Sequence, residues 1–500
     1  MITFITSIVL LIAGYLIYGR IIDRFFGSDG NRSTPALTMT DGVDFLPLPG
    51  WRIFMIQFLN IAGLGPIFGA ILGAMYGPSA YIWIVVGCIF MGAVHDYFSG
   101  MLSIRHRGAS LPELVGNYLG RNVKFFLRIF TLLLLIFVGV AFVTGPAKLL
   151  NTMTHVDIRV WLYLIFAYYF LATILPINKI IGTLYPFFGA SLLIMAFGIG
   201  GAMMVKSLGG SLVLNEISIT QLGNQHISPG NNFLYPMLFI VISCGAISGF
   251  HATQSPLMAR CMKSETAGRK IFYGAMIAEG IVAIIWATAA MNYFGDVHGL
   301  NRILTTPLEA NGSFIPDPAW VVNEICNSWL GRTGAVIAVI GVIACPVTSG
   351  DTAFRSARLT ISDMAGINQS GMRNRLAISI PLFVTGFILT FLMKDEFARI
   401  WKFVGISNQA LAAIVLWTAS MYLAVKRKPH WFISLPATFL TVICFTYLLA
   451  APHSGGGLAL PLAVSVAAGL VAGLLVAALF LISARKKVNA QKGGEAPVQD

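Results

Sequence analysis

Apolar runs of about 18 or more residues recur along the whole chain, parted by short polar segments. A helix rises about 1.5 Å per residue, so each run suffices to cross a hydrocarbon core of about 30 Å. Run lengths, with their Gly, Pro and charged breakers, predict 13 spans. They fall at roughly 3–20, 52–76, 79–104, 123–147, 159–176, 184–208, 233–259, 270–294, 333–355, 374–393, 398–425, 431–450 and 458–483. The predicted fold class is an all-α membrane protein, with residues 1–485 as one polytopic domain and 486–500 as a disordered polar tail. The first run, "MITFITSIVLLIAGYLIYGR", meets no basic residue before Arg20 and reads as a retained helix rather than a signal peptide.

Thirteen crossings put the two ends of the chain on opposite sides, and basic residues tell which is which. With the N-terminus outside, 25 of the 33 Lys and Arg fall in inward segments, among them Arg105, Arg107, Lys179, Arg260, Arg355, Arg358 and Lys426. The predicted topology is therefore N-out, C-in. The longest outward loop, 295–332, is acidic and aromatic-bearing, and reads either as a lid or as a connector. Charged residues make up 11% of the chain, against about 25% in soluble proteins. The net charge of +13 is scattered between apolar runs, so it reports topology and excludes nucleic acid as a partner. Membrane lipids and a small-molecule substrate are the partners that fit. The six cysteines form no CxxC pair, so neither a disulfide framework nor a zinc site is indicated.

Two spans are interrupted most heavily. Span 2, "QFLNIAGLGPIFGAILGAMYG", carries Gly63, Gly65 and Pro66 at mid-membrane, and span 7, "VISCGAISGFHATQSP", carries Gly245 and Gly249. Span 7 comes five spans after span 2, so the two run in opposite directions, and spans 2–6 lie on spans 7–11 in matching order. Paired broken helices in inverted halves point to the midplane site of a secondary transporter. Backbone freed by unwinding needs protein, water or ligand as partner, its carbonyls suiting a cation and its N–H groups an anion. The alternative is that these glycines only permit close helix packing.

Ionisable residues inside spans are costly and point to function. Span 3 holds His95 and Asp96, with Asp96, Ser99 and Ser103 on one face; the pair reads as a proton relay or as a structural anchor. Span 7 aligns Cys244, Ser248, His251 and Ser255, with Gln254 three past His251: a substrate or proton face, or a satisfied core histidine. In span 9, Thr348, Ser349, Asp351 and Thr352 surround Pro346 and Gly350. Asp351 and Arg355, four apart, read as an ion pair, and the hydroxyls alternatively as oxygen ligands to a hard cation. Glu279 in span 8 is a further buried carboxylate and proton-carrier candidate. Asn60, Asn408 and Gln409 are amides that either bind a peptide group or carboxylate or join helices.

Four stretches resemble the carbon starvation protein A family: residues 65–120 ("GPIFGAILGAMYGPSAYIWIVVGCIFMGAVHDYFSGMLSIRHRGASLPELVGNYLG"), 243–265 ("SCGAISGFHATQSPLMARCMKSE"), 348–359 ("TSGDTAFRSARL") and 405–413 ("GISNQALAA"). The resemblance covers roughly 50–450, and the chain looks like a short form of the family. It implies a bacterial inner-membrane transporter used under carbon limitation, with peptide uptake and proton-linked pyruvate uptake among its members. It also implies the amino acid–polyamine–organocation superfamily and its leucine-transporter-type, five-plus-five inverted repeat. That repeat would occupy about 52–208 and 233–425, with one extra N-terminal and two extra C-terminal helices. A sodium-type site in relatives corresponds to Ile61–Gly63 with Thr348 and Ser349; proton coupling is the alternative.

The expected function is a secondary active importer of small carbon sources, peptides first and pyruvate or a similar monocarboxylate second, or else a starvation sensor without flux. The expected substrate site comprises Asn60, Ile61, Ala62, Gly63, Leu64, Gly65, Gly245, Ser248, Gly249, His251, Gln254, Asn408 and Gln409. The expected proton or ion coupling residues are His95, Asp96, Glu279, Thr348, Ser349 and Asp351. No cofactor is called for beyond a proton or sodium ion. An enzyme is disfavoured, since no G-x-S-x-G elbow, H-E-x-x-H helix or metal-ligand cluster occurs.

Overall fold

The computed structural model describes residues 1–175, 181–307, 316–369, 371–393 and 397–492. Lys179, residues 308–315 of the long outward loop and most of the tail therefore lie outside the described residues. In chain order the principal helices are α1 (Ile2–Phe26), α2 (Gly50–Ala62), α3 (Gly65–Ala74), α4 (Ser79–Arg105), α5 (Leu111–Leu119), α6 (Arg121–Thr154), α7 (Ile158–Ile174) and α8 (Ile181–Leu208). They continue with α9 (Leu234–Val241), α10 (His251–Ala259), α11 (Glu265–Tyr293), α12 (Pro318–Ala365), α13 (Met372–Leu392), α14 (Phe397–Val425), α15 (Trp431–Ala450) and α16 (Leu462–Lys492).

Among the described residues nine helices are long and apolar enough to cross a membrane, and the bent pair α2/α3 makes a tenth. The other three predicted segments are also helical. One is the shorter α7, one is the broken pair α9/α10, and one lies within the long α12. Local chemistry sets several ends. Asp157 caps α7 by accepting from the Arg159 N–H at 2.7 Å, and Asp317 caps α12 from the Trp320 N–H at 3.0 Å. Gly331, at φ +65°, breaks the line of α12, a conformation other residues adopt only under strain.

Helix α12 runs through the bundle against α6, α7 and α8, α10 lies on α4, and α14, α15 and α16 pack side by side. The end opposite the basic one, predicted to face outward, is tied across by Asn301. Its amide donates to the carbonyls of Met75 (2.9 Å) and Gln225 (3.3 Å) and accepts from the Ile227 N–H (3.1 Å). The segment 209–233 thus helps to cover this end alongside the start of the predicted 295–332 loop. At the opposite, basic end, the lead-in to α2 is held by Thr34, which donates to the Met262 carbonyl at 2.5 Å, and by the Leu48 N–H, which donates to the Cys261 carbonyl at 3.1 Å.

Candidate functional site

Both predicted breaks are real interruptions. Helix α2 stops at Ala62, Gly63 takes φ +43° and ψ −139°, and α3 resumes with a 52° bend. A side chain at Gly63 would meet the Phe142 ring at 2.7 Å, so conformation and space both require glycine there. Pro66 in the first turn of α3 lacks the N–H that would otherwise go unpaired. Residues 242–250 separate α9 from α10, and the protein itself satisfies much of that freed backbone. Trp83 Nε1 donates to the Ile242 carbonyl (3.1 Å), Gln409 Nε2 to the Phe239 carbonyl (2.8 Å), and the Gly249 N–H to the Asn408 carbonyl (3.0 Å).

The interruptions touch. A Cβ on Gly65 would fall 1.8 Å from Cys244 Cβ, one on Gly245 2.8 Å from Ala283, and one on Gly249 2.4 Å from Leu411. At these three positions glycine lets helices approach closely. Ile61, Ala62 and Leu64 are buried beside them, and Leu64 lies against Gly145.

The costly residues of three helices converge. His95 Nδ1 lies 2.7 Å from Asp96 Oδ1 on α4, and His251 Nδ1, at the start of α10, lies 3.1 Å from Asp96 Oδ2. His251 Nε2 stands 3.6 Å from Glu279 Oε2 on α11. All four side chains are wholly buried. The geometry has a protonic consequence. With Nδ1–H donated to Asp96, His251 Nε2 can face Glu279 favourably only if one of the two carries a further proton. Either a cationic imidazole faces a carboxylate, or a neutral imidazole faces a carboxylic acid. Two carboxylates and two neutral imidazoles carry two negative charges, so the buried group reaches neutrality when it holds two further protons.

Amides complete the surroundings. Both side-chain atoms of Asn60 are buried without a hydrogen-bond partner, as are Gln254 Oε1 and Asn408 Oδ1. One turn before Asn60, Gln57 Nε2 donates to Ser255 Oγ at 3.3 Å, and Ser255 donates to the His251 carbonyl at 3.1 Å. Helices α2 and α10 run antiparallel, so this register sets Asn60 near the level of His251. Ser248 accepts from Cys244 Sγ at 3.6 Å. Ser99 and Ser103 instead bond carbonyls of His95 and Ala109, so the hydroxyl stripe of α4 does not join the cluster.

On α12, Ser349 Oγ donates to the Leu59 carbonyl at 3.0 Å, joining α12 to the end of α2, while Thr348 Oγ1 bonds carbonyls of its own helix. Asp351 stands apart from the histidine cluster and accepts from the Tyr185 hydroxyl of α8. The i,i+4 partnership of Asp351 with Arg355 does not form. Arg355 Nη1 reaches Asp44 at 2.9 Å and its Nη2 the Leu175 carbonyl at 2.7 Å, while Arg358 Nη2 meets Asp44 at 3.2 Å. Asp44 lies outside the predicted spans, in the lead-in to α2. Burial alone would raise its pKa, but Arg358, Arg355 and Arg260 around it hold the carboxyl down at about 2. Asp44, Gln57 and Tyr185 were missed from sequence. Only Gln57, an amide three before Asn60 in an apolar run, gave a signal that could have found it.

The family model described as Carbon starvation protein CstA matches residues 1–145, 140–303 and 319–447. An "Uncharacterized membrane protein" of Haemophilus influenzae is 44% identical over 350 residues, covering 61% of this chain and 94% of that one. The Peptide transporter CstA of Campylobacter jejuni is 26% identical over 571 residues, covering 90% of this chain and 80% of its own. Among solved structures, a Na+-coupled sialic acid symporter superposes with a TM-score of 0.53 at 12% identity, covering 96% of this chain and 98% of its own. Mhp1, a nucleobase-cation-symport-1 family transporter, gives 0.52 at 14% identity over 87% of this chain and 92% of its own. These likenesses establish an all-α membrane fold of the leucine-transporter type. By the matched model, which runs along most of its length, the chain belongs to the Carbon starvation protein CstA family.

Proposed function

We propose that the chain imports small carbon sources under carbon limitation by proton-coupled secondary transport, with peptides as the first substrate class. The observation that carries this reading is the buried His95–Asp96–His251–Glu279 chain beside two touching helix breaks. Ionisable groups at that depth are retained against a cost, and a shared proton gives them a use. The peptide class rests on relatives named Peptide transporter CstA. A monocarboxylate such as pyruvate is the second reading, favoured by the unpartnered donor of Asn60 and by a cluster that becomes cationic when it takes a further proton. Sodium at Ile61–Gly63 with Thr348 and Ser349 is less favoured, because the Ser349 hydroxyl is turned to the Leu59 carbonyl and the Thr348 hydroxyl to carbonyls of its own helix.

In this reading 13 spans lie in the bacterial inner membrane, N-terminus outside, with inverted repeats over about 52–208 and 233–425. The test is uptake by proteoliposomes of labelled di- and tripeptides and of pyruvate, with proton and sodium gradients imposed separately. Accumulation driven by an inward proton gradient is expected. No accumulation under either gradient would sink the proposal, and accumulation driven by sodium alone would overturn the proton assignment.

A further inference from the structure

Two cavities at the basic end of the bundle share a wall. The larger, about 620 Å³, opens among the lead-in to α2, α5 and the ends of α10 and α12. The smaller, about 10 Å³, holds about one water-sized site and lies deeper, among α5, α6, α10 and α12. Arg260 and Leu359 line both, and Arg260 is the basic residue common to the two. Most of the smaller cavity's surface is apolar, with a few hydroxyls set into it. Thr131 of α6, 1% exposed, points a hydroxyl without a partner at this seam. Opposite stand Thr253 and Ser356, and Ser356 donates to the Thr253 carbonyl at 2.9 Å. Both are bonded by Gln254 Nε2, at 2.9 and 3.4 Å, and Gln254 sits one turn from His251.

We infer that the inner release path runs along the seam between α10 and α12, flanked by α5 and α6, with Arg260 as its gatepost. This rests on the importer reading above. The rival seam, beside α2, is held shut by more bonds. Asp44 ties the lead-in of α2 to Arg355 and Arg358, while Thr34 and Leu48 tie it to the turn after α10. Arg260 has one hydrogen bond, to the Gly108 carbonyl at 2.8 Å, with Asp363 at 3.6 Å, the Phe45 ring 5.0 Å below its guanidinium and the Asp44 charge nearby, so it makes fewer hydrogen bonds than the arginines that close the rival seam. Its guanidinium is the cation lining the smaller cavity, so it is placed to meet a solute bearing a carboxylate there, and swinging toward that carboxylate would join the two cavities.

The experiment labels introduced cysteines in inside-out vesicles with a membrane-impermeant cationic thiol reagent. The six native cysteines are buried, so the wild type sets the background. Thr131→Cys and Ser356→Cys should react about tenfold faster than wild type, since thiol reactivity follows exposure. Adding Arg260→Gln should speed the reaction of Thr131→Cys further, and Arg260→Lys should not. Gly189→Cys, beside Met55 on the seam between α2 and α8, should stay at background. If Thr131→Cys and Ser356→Cys both remain at the wild-type rate in protein that elutes as a single species, the inference is overturned, whether or not Gly189→Cys reacts. Proton-driven uptake with silent cysteines refutes the path alone. Reactive cysteines without uptake refute the importer reading and leave the path standing.

Discussion

Asp96 accepts from two imidazoles on two helices, which makes it the residue whose loss should be felt most. Asp96→Asn removes the charge that both histidines face, and breaking a buried pair from one side costs about 3–5 kcal/mol. The expected result is a lower melting temperature in detergent and no proton-driven uptake at any pH. His251→Gln is gentler, since an amide keeps much of the volume. Substrate binding should persist while accumulation no longer responds to an inward proton gradient; an unchanged response would remove His251 from coupling. Gly65→Ala tests the crossing of the breaks. Its Cβ would lie 1.8 Å from that of Cys244, so overpacking of about 1–3 kcal/mol or more is expected, read as a lower melting temperature and partly restored by Cys244→Gly. These residues were legible as polar letters inside apolar runs. Their contacts were not, because Asp96 and His251 are 155 positions apart.

At the scale of elements, the breaks in α2/α3 and α9/α10 were readable because glycine and proline act locally, through φ and the missing N–H. What each half-helix is fastened to was not readable. The i,i+4 rule paired Asp351 with Arg355, but a carboxylate 311 positions away took the arginine instead. Asp44→Asn should therefore destabilise the basic end of the bundle by about 3–5 kcal/mol, measured by thermal unfolding in detergent. The sign of its pH dependence follows from the folded pKa of about 2, below the unfolded value of about 3.9. A depressed carboxylate contributes stability that is present above the unfolded pKa and lost as pH falls through the folded one. The loss caused by Asp44→Asn should thus be equal at pH 5.5 and pH 8, and any pH dependence of transport in that range must arise elsewhere.

For the whole molecule, the basic residues predict an N-terminus outside and a C-terminus in the cytoplasm. A fluorescent protein fused after Asp500 should fold and fluoresce in cells, whereas a periplasmic alkaline phosphatase at the same place should stay inactive; the reverse pattern would invert the topology. Sequence alone determined the solvent of this chain, the approximate bounds of its helices and the two places where they break. Each of those depends on hydropathy or backbone geometry within one short window. Tertiary structure alone decided that His95, Asp96, His251 and Glu279 form one chain while Asp351 does not join it. It also decided that Gly65, Gly245 and Gly249 serve close approach. The reason is physical: in a dry core a polar atom bonds whichever partner folding brings within about 3 Å, and sequence distance places no limit on that choice.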